Sequence, residues 1–166
     1  MLSEFDLIKQ YFVRARPSVA ALGIGDDCAL INPTAGTQMA ISSDMLIEGR
    51  HFFAGADARM LGYKCLAVNL SDLAAMGARP VAFTLALALP AAEADWLAAF
   101  SGGLFEVADA FGCELIGGDT TKGPLTISIT IFGELRPGHA LRRDAARPGD
   151  DVWISGTLGD ARLALA

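Results

Sequence analysis

A mixed domain of interleaved helices and strands is what this 166-residue sequence predicts. Two apolar segments, 58–76 and 92–111, repeat at helical spacing and run into glycine, whereas VAFTLALAL and LTISITIFGEL alternate as strands do. The composition, 52% apolar against 19% charged, is that of a soluble, well-packed globule about one domain long.

The elements follow in order. SEFDLIKQYF sets Phe5, Ile8 and Phe12 at helical spacing behind Ser3 as N-cap, a short amphipathic helix suited to a lid or packing role. GIGDDCALIN, the turn NPTAG and QMAISSDML read as two short strands joined by a turn. Ile41 and Leu46 supply apolar contacts there, and two acidic clusters fall near strand ends. Asp57 is the candidate N-cap of the 58–76 helix; Leu61, Cys65, Val68 and Leu73 form its buried stripe, and Gly77 with Pro80 stops it.

In VAFTLALAL, Phe83, Leu85, Leu87 and Leu89 share one face, and Ala82, Thr84, Ala86 and Ala88 the other. Both faces are expected to be covered, the alanine face at close range by a helix or a second subunit. The 92–111 helix ends at Gly112; CELIG is a short apolar run, GDTTKG a loop, and LTISITIFGEL a strand. ARPGDD breaks the pattern before VWISG, and TLGDARLALA opens a helix that is cut off. This gives a domain over 1–147 and the start of a truncated second domain over 148–166.

Thirteen basic against nineteen acidic residues, a net charge of -6, argue against binding nucleic acid through a general field. Cys28, Cys65 and Cys113 are far apart and odd in number, so they read as reduced core residues rather than a disulfide framework or thiolate metal site. MLSEFDLIKQYF carries charges where a signal peptide is apolar, and no segment approaches a membrane span, so a cytoplasmic protein is expected.

The chemistry gathers at aspartates. No glycine loop ending in Lys-Ser/Thr occurs, and Gly23-Ile24-Gly25-Asp26-Asp27-Cys28 lacks the third glycine of a dinucleotide fingerprint. Two carboxylates there would repel bare pyrophosphate but suit Mg²⁺, which takes hard oxygen ligands shared between protein and phosphate. Alone, Gly25-Asp26-Asp27 has equally the composition of an acidic surface turn. Ser42 and Asp44 share a strand face, where a hydroxyl and a carboxylate can reach one ion, or where Ser42-Ser43-Asp44 can form a turn at a strand end. Asp72 lies on an apolar helix, three residues after Asn69 on the same face; if buried it needs a partner or a metal, and the other reading is an exposed helix face. Gly117-Gly118-Asp119-Thr120-Thr121-Lys122-Gly123 packs a carboxylate, hydroxyls and a lysine behind an apolar run, either a phosphate-and-metal loop or a polar connection. His51 and Arg143, taken singly, read as surface residues.

Together GIGDDCA, ISSDMLIEGRHF, YKCLAVNLSDLAAMGARP, LIGGDTTKGP and ALRRDAARPGDDVWISGTLGD resemble, in this order and over nearly the whole chain, the N-terminal half of the bacterial thiamine-monophosphate kinase family. That family is similar in fold to aminoimidazole ribonucleotide synthetase, selenophosphate synthetase and a hydrogenase maturation factor. The resemblance implies an α+β fold with a mixed sheet flanked by helices, strands pairing into a barrel across a homodimer, and a second α/β domain beyond it. It implies transfer of the ATP γ-phosphoryl group to thiamine monophosphate, giving thiamine diphosphate and ADP, with Mg²⁺ as cofactor.

Carried over residue by residue, Asp26, Ser42, Ser43, Asp44, Asp72 and Asp119 match metal positions, with Asp27 adjacent; His51 matches a substrate contact. Gly118, Asp119 and Arg143 match ATP positions, Phe105 stands where the family often has an aromatic hydroxyl near the nucleotide, and Lys122 is added on its charge alone. The family often has Thr at the position of Ser43, and its C-terminal half, with further ligands, is absent here. A non-catalytic dimerisation module of the same fold and a sister ATP-dependent enzyme are the competing readings.

Overall fold

The structure is a computed structural model that describes residues 3–15, 18–154 and 156–163. Its elements are α1 (Glu4–Tyr11), β1 (Ala20–Leu22), β2 (Leu30–Ile31), β3 (Gln38–Ile47), α2 (Ala58–Ala75), β4 (Arg79–Leu89), α3 (Ala94–Phe111), β5 (Glu114–Lys122), β6 (Thr126–Leu135) and α4 (Asp160–Leu163). β3, β6, β4 and β5 form a four-stranded sheet in that order. β4 pairs with β5 in parallel through the α3 crossover, and the other pairings are antiparallel. The chain is thus α+β with a mixed sheet.

Local chemistry sets the helices. Ser3 accepts from the Asp6 amide while the Asp6 carboxylate reaches back to the Ser3 amide, a reciprocal cap that starts α1. Asp57 caps α2 by accepting from the Met60 N–H at 2.8 Å. Gly112, at φ 59°, ends α3 in the left-handed conformation glycine tolerates. α2 and α3 cross at backbone contact: a Cβ on Gly62 would overlap the Phe100 carbonyl, and one on Gly103 the Arg59 carbonyl. This close pair roofs one sheet face, where Phe83, Leu85, Leu87 and Leu89 meet Ile127, Ile129 and Ile131.

The opposite face is only partly covered. The antiparallel β1–β2 ribbon seals a small cluster of Ala20, Val81, Ala82 and Ile116. Farther along β4, Thr84 and Ala88 are half-buried and Ala86 is exposed, so the alanine face expected to be covered is only partly so among the described residues. The short β1–β2 ribbon does not extend that far.

Other expectations are corrected in detail. α1 buries Leu7, and Phe12 is buried at its C-cap, while Phe5 is exposed. Val68 is only half-buried on α2, where Leu66, Asn69 and Leu70 join the core instead. Residues 23–28 form a loop rather than a strand; β2 pairs with β1, and β3 is a ten-residue strand paired with β6, with Ile41 exposed. Cys28 is exposed, whereas Cys65 and Cys113 are buried. GDTTK continues β5, because parallel pairing to β4 runs through Lys122. The helix expected near the end spans Asp160–Leu163, its last expected residues, 164–166, lying outside the described residues. None of the described helices is long and apolar enough to cross a membrane.

Candidate functional site

A cavity of about 530 Å³ opens where the 23–28 loop, α1 and the β4–β5 pair converge. Phe12, Ile24, Leu85 and Leu115 give it an apolar wall, and Asp26, Asp27, Gly118 and Asp119 its polar mouth. The sheet is shaped for this opening. Between Phe83–Leu115 and Thr84–Gly117 the register slips, so Ile116 is an extra residue on β5 and the strand beyond it is re-aimed. Gly118 then takes φ 151°, and a Cβ there would overlap the Leu85 backbone, so glycine alone lets β5 lie this close to β4. The Asp26 carboxylate accepts from the Asp27 amide at 2.8 Å, holding the loop while leaving both acidic residues exposed.

A smaller cavity of about 310 Å³ adjoins it, sharing Phe12, Gly23, Ile24 and Leu115. Phe105 lines it beside Arg14, whose guanidinium sits 4.7 Å over the ring and forks onto Asp109 with two 2.8 Å bonds. The pairing with Asp109 raises the Arg14 pKa further, so this charge is permanent.

The other predicted residues lie across the sheet. Ser42 Oγ donates to Asp72 Oδ2 at 2.6 Å, tying β3 to α2. Asp44 is half-buried on the same strand face, whereas Ser43 points to the other, bonding to the Ile129 carbonyl and the Thr130 hydroxyl. Asp72 itself is exposed; the buried polar residue of that helix face is Asn69, whose Nδ2 donates to the Cys65 carbonyl at 2.9 Å and whose Oδ1 has no partner among the described residues. Burial pushes the neighbouring Cys65 thiol up to about 12, which leaves it inert.

In the register, Asp44 pairs with Ile129, Ile129 with Leu85, and Leu85 with Gly118. The two acidic groups are therefore three strands apart, about 14 Å along the sheet. His51 lies in the turn after β3, Lys122 at the end of β5, and Arg143 on the exposed segment before α4, next to an Arg142–Asp144 fork. The structure brings together Asp26, Asp27, Gly118 and Asp119, with Phe105 adjoining, and joins Ser42 to Asp72; it does not bring these two sets together.

Mg²⁺ suits what is present: every donor is a hard oxygen, and most are accessible. Among the described residues no three His, Cys, Asp or Glu side chains converge on one point, so water and phosphate oxygens must complete any coordination. Sequence reasoning did not single out Phe12, Ile24 or Thr84 as lining residues. Their signal is non-local, since they meet only through sheet pairing and the docking of α1.

The model of the AIR synthase related protein N-terminal domain matches residues 25–135. A thiamine-monophosphate kinase of Salmonella typhimurium is 50% identical over 98% of this chain and 51% of its own length. The crystal structure of thiamine-monophosphate kinase from Stenotrophomonas maltophilia is 56% identical and superposes with a TM-score of 0.83 over 89% of this chain and 46% of that one. AaThiL complexed with AMPPCP and TMP is 30% identical, with a TM-score of 0.74 over 97% of this chain and 50% of that one. The chain spans about half the length of the curated relatives it matches.

Proposed function

The chain belongs to the AIR synthase related family, whose N-terminal domain it carries, and from that premise we propose that it is the N-terminal part of a thiamine-monophosphate kinase. The observation that carries this reading is the cavity at the β5 edge, where a Gly-Asp-Asp loop and a Gly-Gly-Asp strand face each other beside an aromatic pocket. The protein would bind ATP and thiamine monophosphate, forming thiamine diphosphate and ADP. An oxygen of the monophosphate attacks the γ-phosphorus, a new P–O bond forms, and the bond to the bridging oxygen breaks, its electron pair leaving with ADP.

No general base is required, because the attacking phosphate oxygen is already ionised near neutral pH. Catalysis rests on positioning and charge neutralisation. Gly118 offers close backbone approach, Phe105 a ring beside the nucleobase, and Arg143 and Lys122 cationic donors toward phosphate. Asp26, Asp27 and Asp119 on one edge, and Ser42, Asp44 and Asp72 on the other, would hold Mg²⁺; Ser43, expected among these ligands, turns its hydroxyl to the opposite strand face and does not join them. Bound Mg²⁺ supplies the positive charge that lets two polyanions approach. His51 would contact the monophosphate substrate.

We place the domain boundary near 147 and the protein in the cytoplasm. The open β3 edge, with Ile41 and Met45 exposed at 64% and 54%, favours a homodimer completed through that surface. The test is an assay of the protein carrying this chain with ATP, Mg²⁺ and thiamine monophosphate. Formation of thiamine diphosphate and ADP in equal amounts is expected; turnover of another phosphate acceptor instead would favour a sister enzyme, and no turnover a dimerisation module.

A further inference from the structure

The turn that follows β3 is built around one imidazole. Ile47 belongs to the edge strand, and its N–H and carbonyl both serve the turn. The Ile47 N–H donates to His51 Nδ1 at 3.1 Å, while the Ile47 carbonyl accepts from the Arg50 and His51 amides at 3.1 and 2.9 Å. Gly49, at φ 77°, turns the chain, and its amide donates to the Phe52 carbonyl at 2.8 Å. Lys64, from α2, then crosses to the turn and donates from Nζ to the His51 carbonyl at 2.7 Å. His51 is thus held at its ring by β3 and at its carbonyl by α2, yet its side chain is exposed.

This arrangement fixes a proton. A nitrogen that accepts from a backbone amide carries no hydrogen, so a neutral His51 has its proton on Nε2, which points away from the Ile47 bond. An imidazolium has two donors and would lose that bond. We infer that Lys64 is a positioning residue: with the Ile47 amide it holds His51 as a neutral Nε2–H donor toward an oxygen of a phosphate-bearing acceptor. This rests on the reading of the site as a phosphotransferase and sharpens it. His51 orients the acceptor and takes no proton from it, since the exposed nitrogen is already protonated.

In the full-length protein labelled with ¹⁵N-histidine, the signals lost in H51Q are those of His51, which separates them from His139 and from any other histidine. His51 is expected in the Nε2–H form, with Nδ1 bare and correlated across the hydrogen bond to the Ile47 amide. K64M should convert this to a mixture of tautomers and raise KM for thiamine monophosphate about ten-fold, the scale of one positioned hydrogen bond, with kcat and KM for ATP nearly unchanged. K64R, which keeps a donor, should restore the tautomer and most of the KM. An Nδ1–H imidazole in the parent protein, or a K64M variant with parental tautomer and KM, overturns the proposal. If the parent protein makes no thiamine diphosphate, the kinase reading fails, and the tautomer spectra of parent, K64M and K64R still decide the positioning role.

Discussion

At the β5 edge the sheet is closed by its own chain: α1 and the 23–28 loop dock against it, and the carboxylates there face into a walled cavity. At the β3 edge, ten residues of strand with alternating exposed Ile41, Ser43 and Met45 meet no cover among the described residues, and Asp72 is held by a hydroxyl bond from Ser42. Glycine geometry shapes the first edge and side-chain hydrogen bonding the second. The difference teaches that one edge is walled by its own chain into a cavity, while the other leaves a long strand face open among the described residues.

The sharpest way to break the contrast is Gly118→Ala. Its φ of 151° is strained for alanine, and the added methyl meets the Leu85 backbone, so β5 must move away from β4. Strain and overpacking each cost about 1–3 kcal/mol, and together should lower stability by about 3 kcal/mol or more in chemical denaturation, with ATP binding lost in titration calorimetry. A variant of parental stability and nucleotide affinity would show that the close approach does not shape this edge.

Next in size are Asp119→Asn and Asp72→Asn, one on each edge. Both residues are exposed, and an asparagine at 72 still accepts from Ser42, so folding should be kept while charge is lost. Turnover of the complete protein should fall about a hundred-fold or more for each, the scale of removing one electrostatic group from a phosphoryl-transfer site. Parental rates throughout a Mg²⁺ titration would remove that edge from the reaction.

Much of this layout was legible in local chemistry. Asp57 before an apolar run and Gly112 after one mark helix ends by capping that depends on a few neighbouring residues. The Leu face of β4 follows from two-residue periodicity. What stayed hidden is non-local. GDTTK has a loop's composition, yet it lies in β5 because β4 supplies a parallel partner and Gly118 permits the contact. Asp72 looked like a candidate for burial on an apolar helix, but α2 turns Asn69 inward and leaves Asp72 outside. The separation of the acidic groups by three strands is a property of sheet order alone.

The open β3 edge makes a smaller but direct prediction. Met45→Lys places a charge on the exposed strand face without touching Ser42, Asp44 or the core. If a second copy covers this edge, sedimentation should show the dimer dissociation constant raised about ten-fold or more, since an unpaired charge disfavours an apolar interface. An unchanged association state would locate any dimer contact elsewhere.

The smallest effect expected is electrostatic and sits where β3 begins. Glu134 on β6, buried, accepts from the Thr34 amide at 2.7 Å and pairs with Arg79 at 2.7 Å, so it pins the loop that leads into the open strand. Bonds from Thr34, then the Arg79 charge, hold its carboxyl below the ordinary glutamate value of 4.5. A carboxylate depressed on folding contributes stability that is fully present above the unfolded value and is lost as pH falls through the folded one. Glu134→Gln should therefore lower stability by about 1 kcal/mol at neutral pH, with the gap to the parent closing below pH 4.5 in melting curves. A gap that stays constant into acid would mean that the charge on Glu134 does not hold this end of β3, and that the hydrogen-bond geometry alone does.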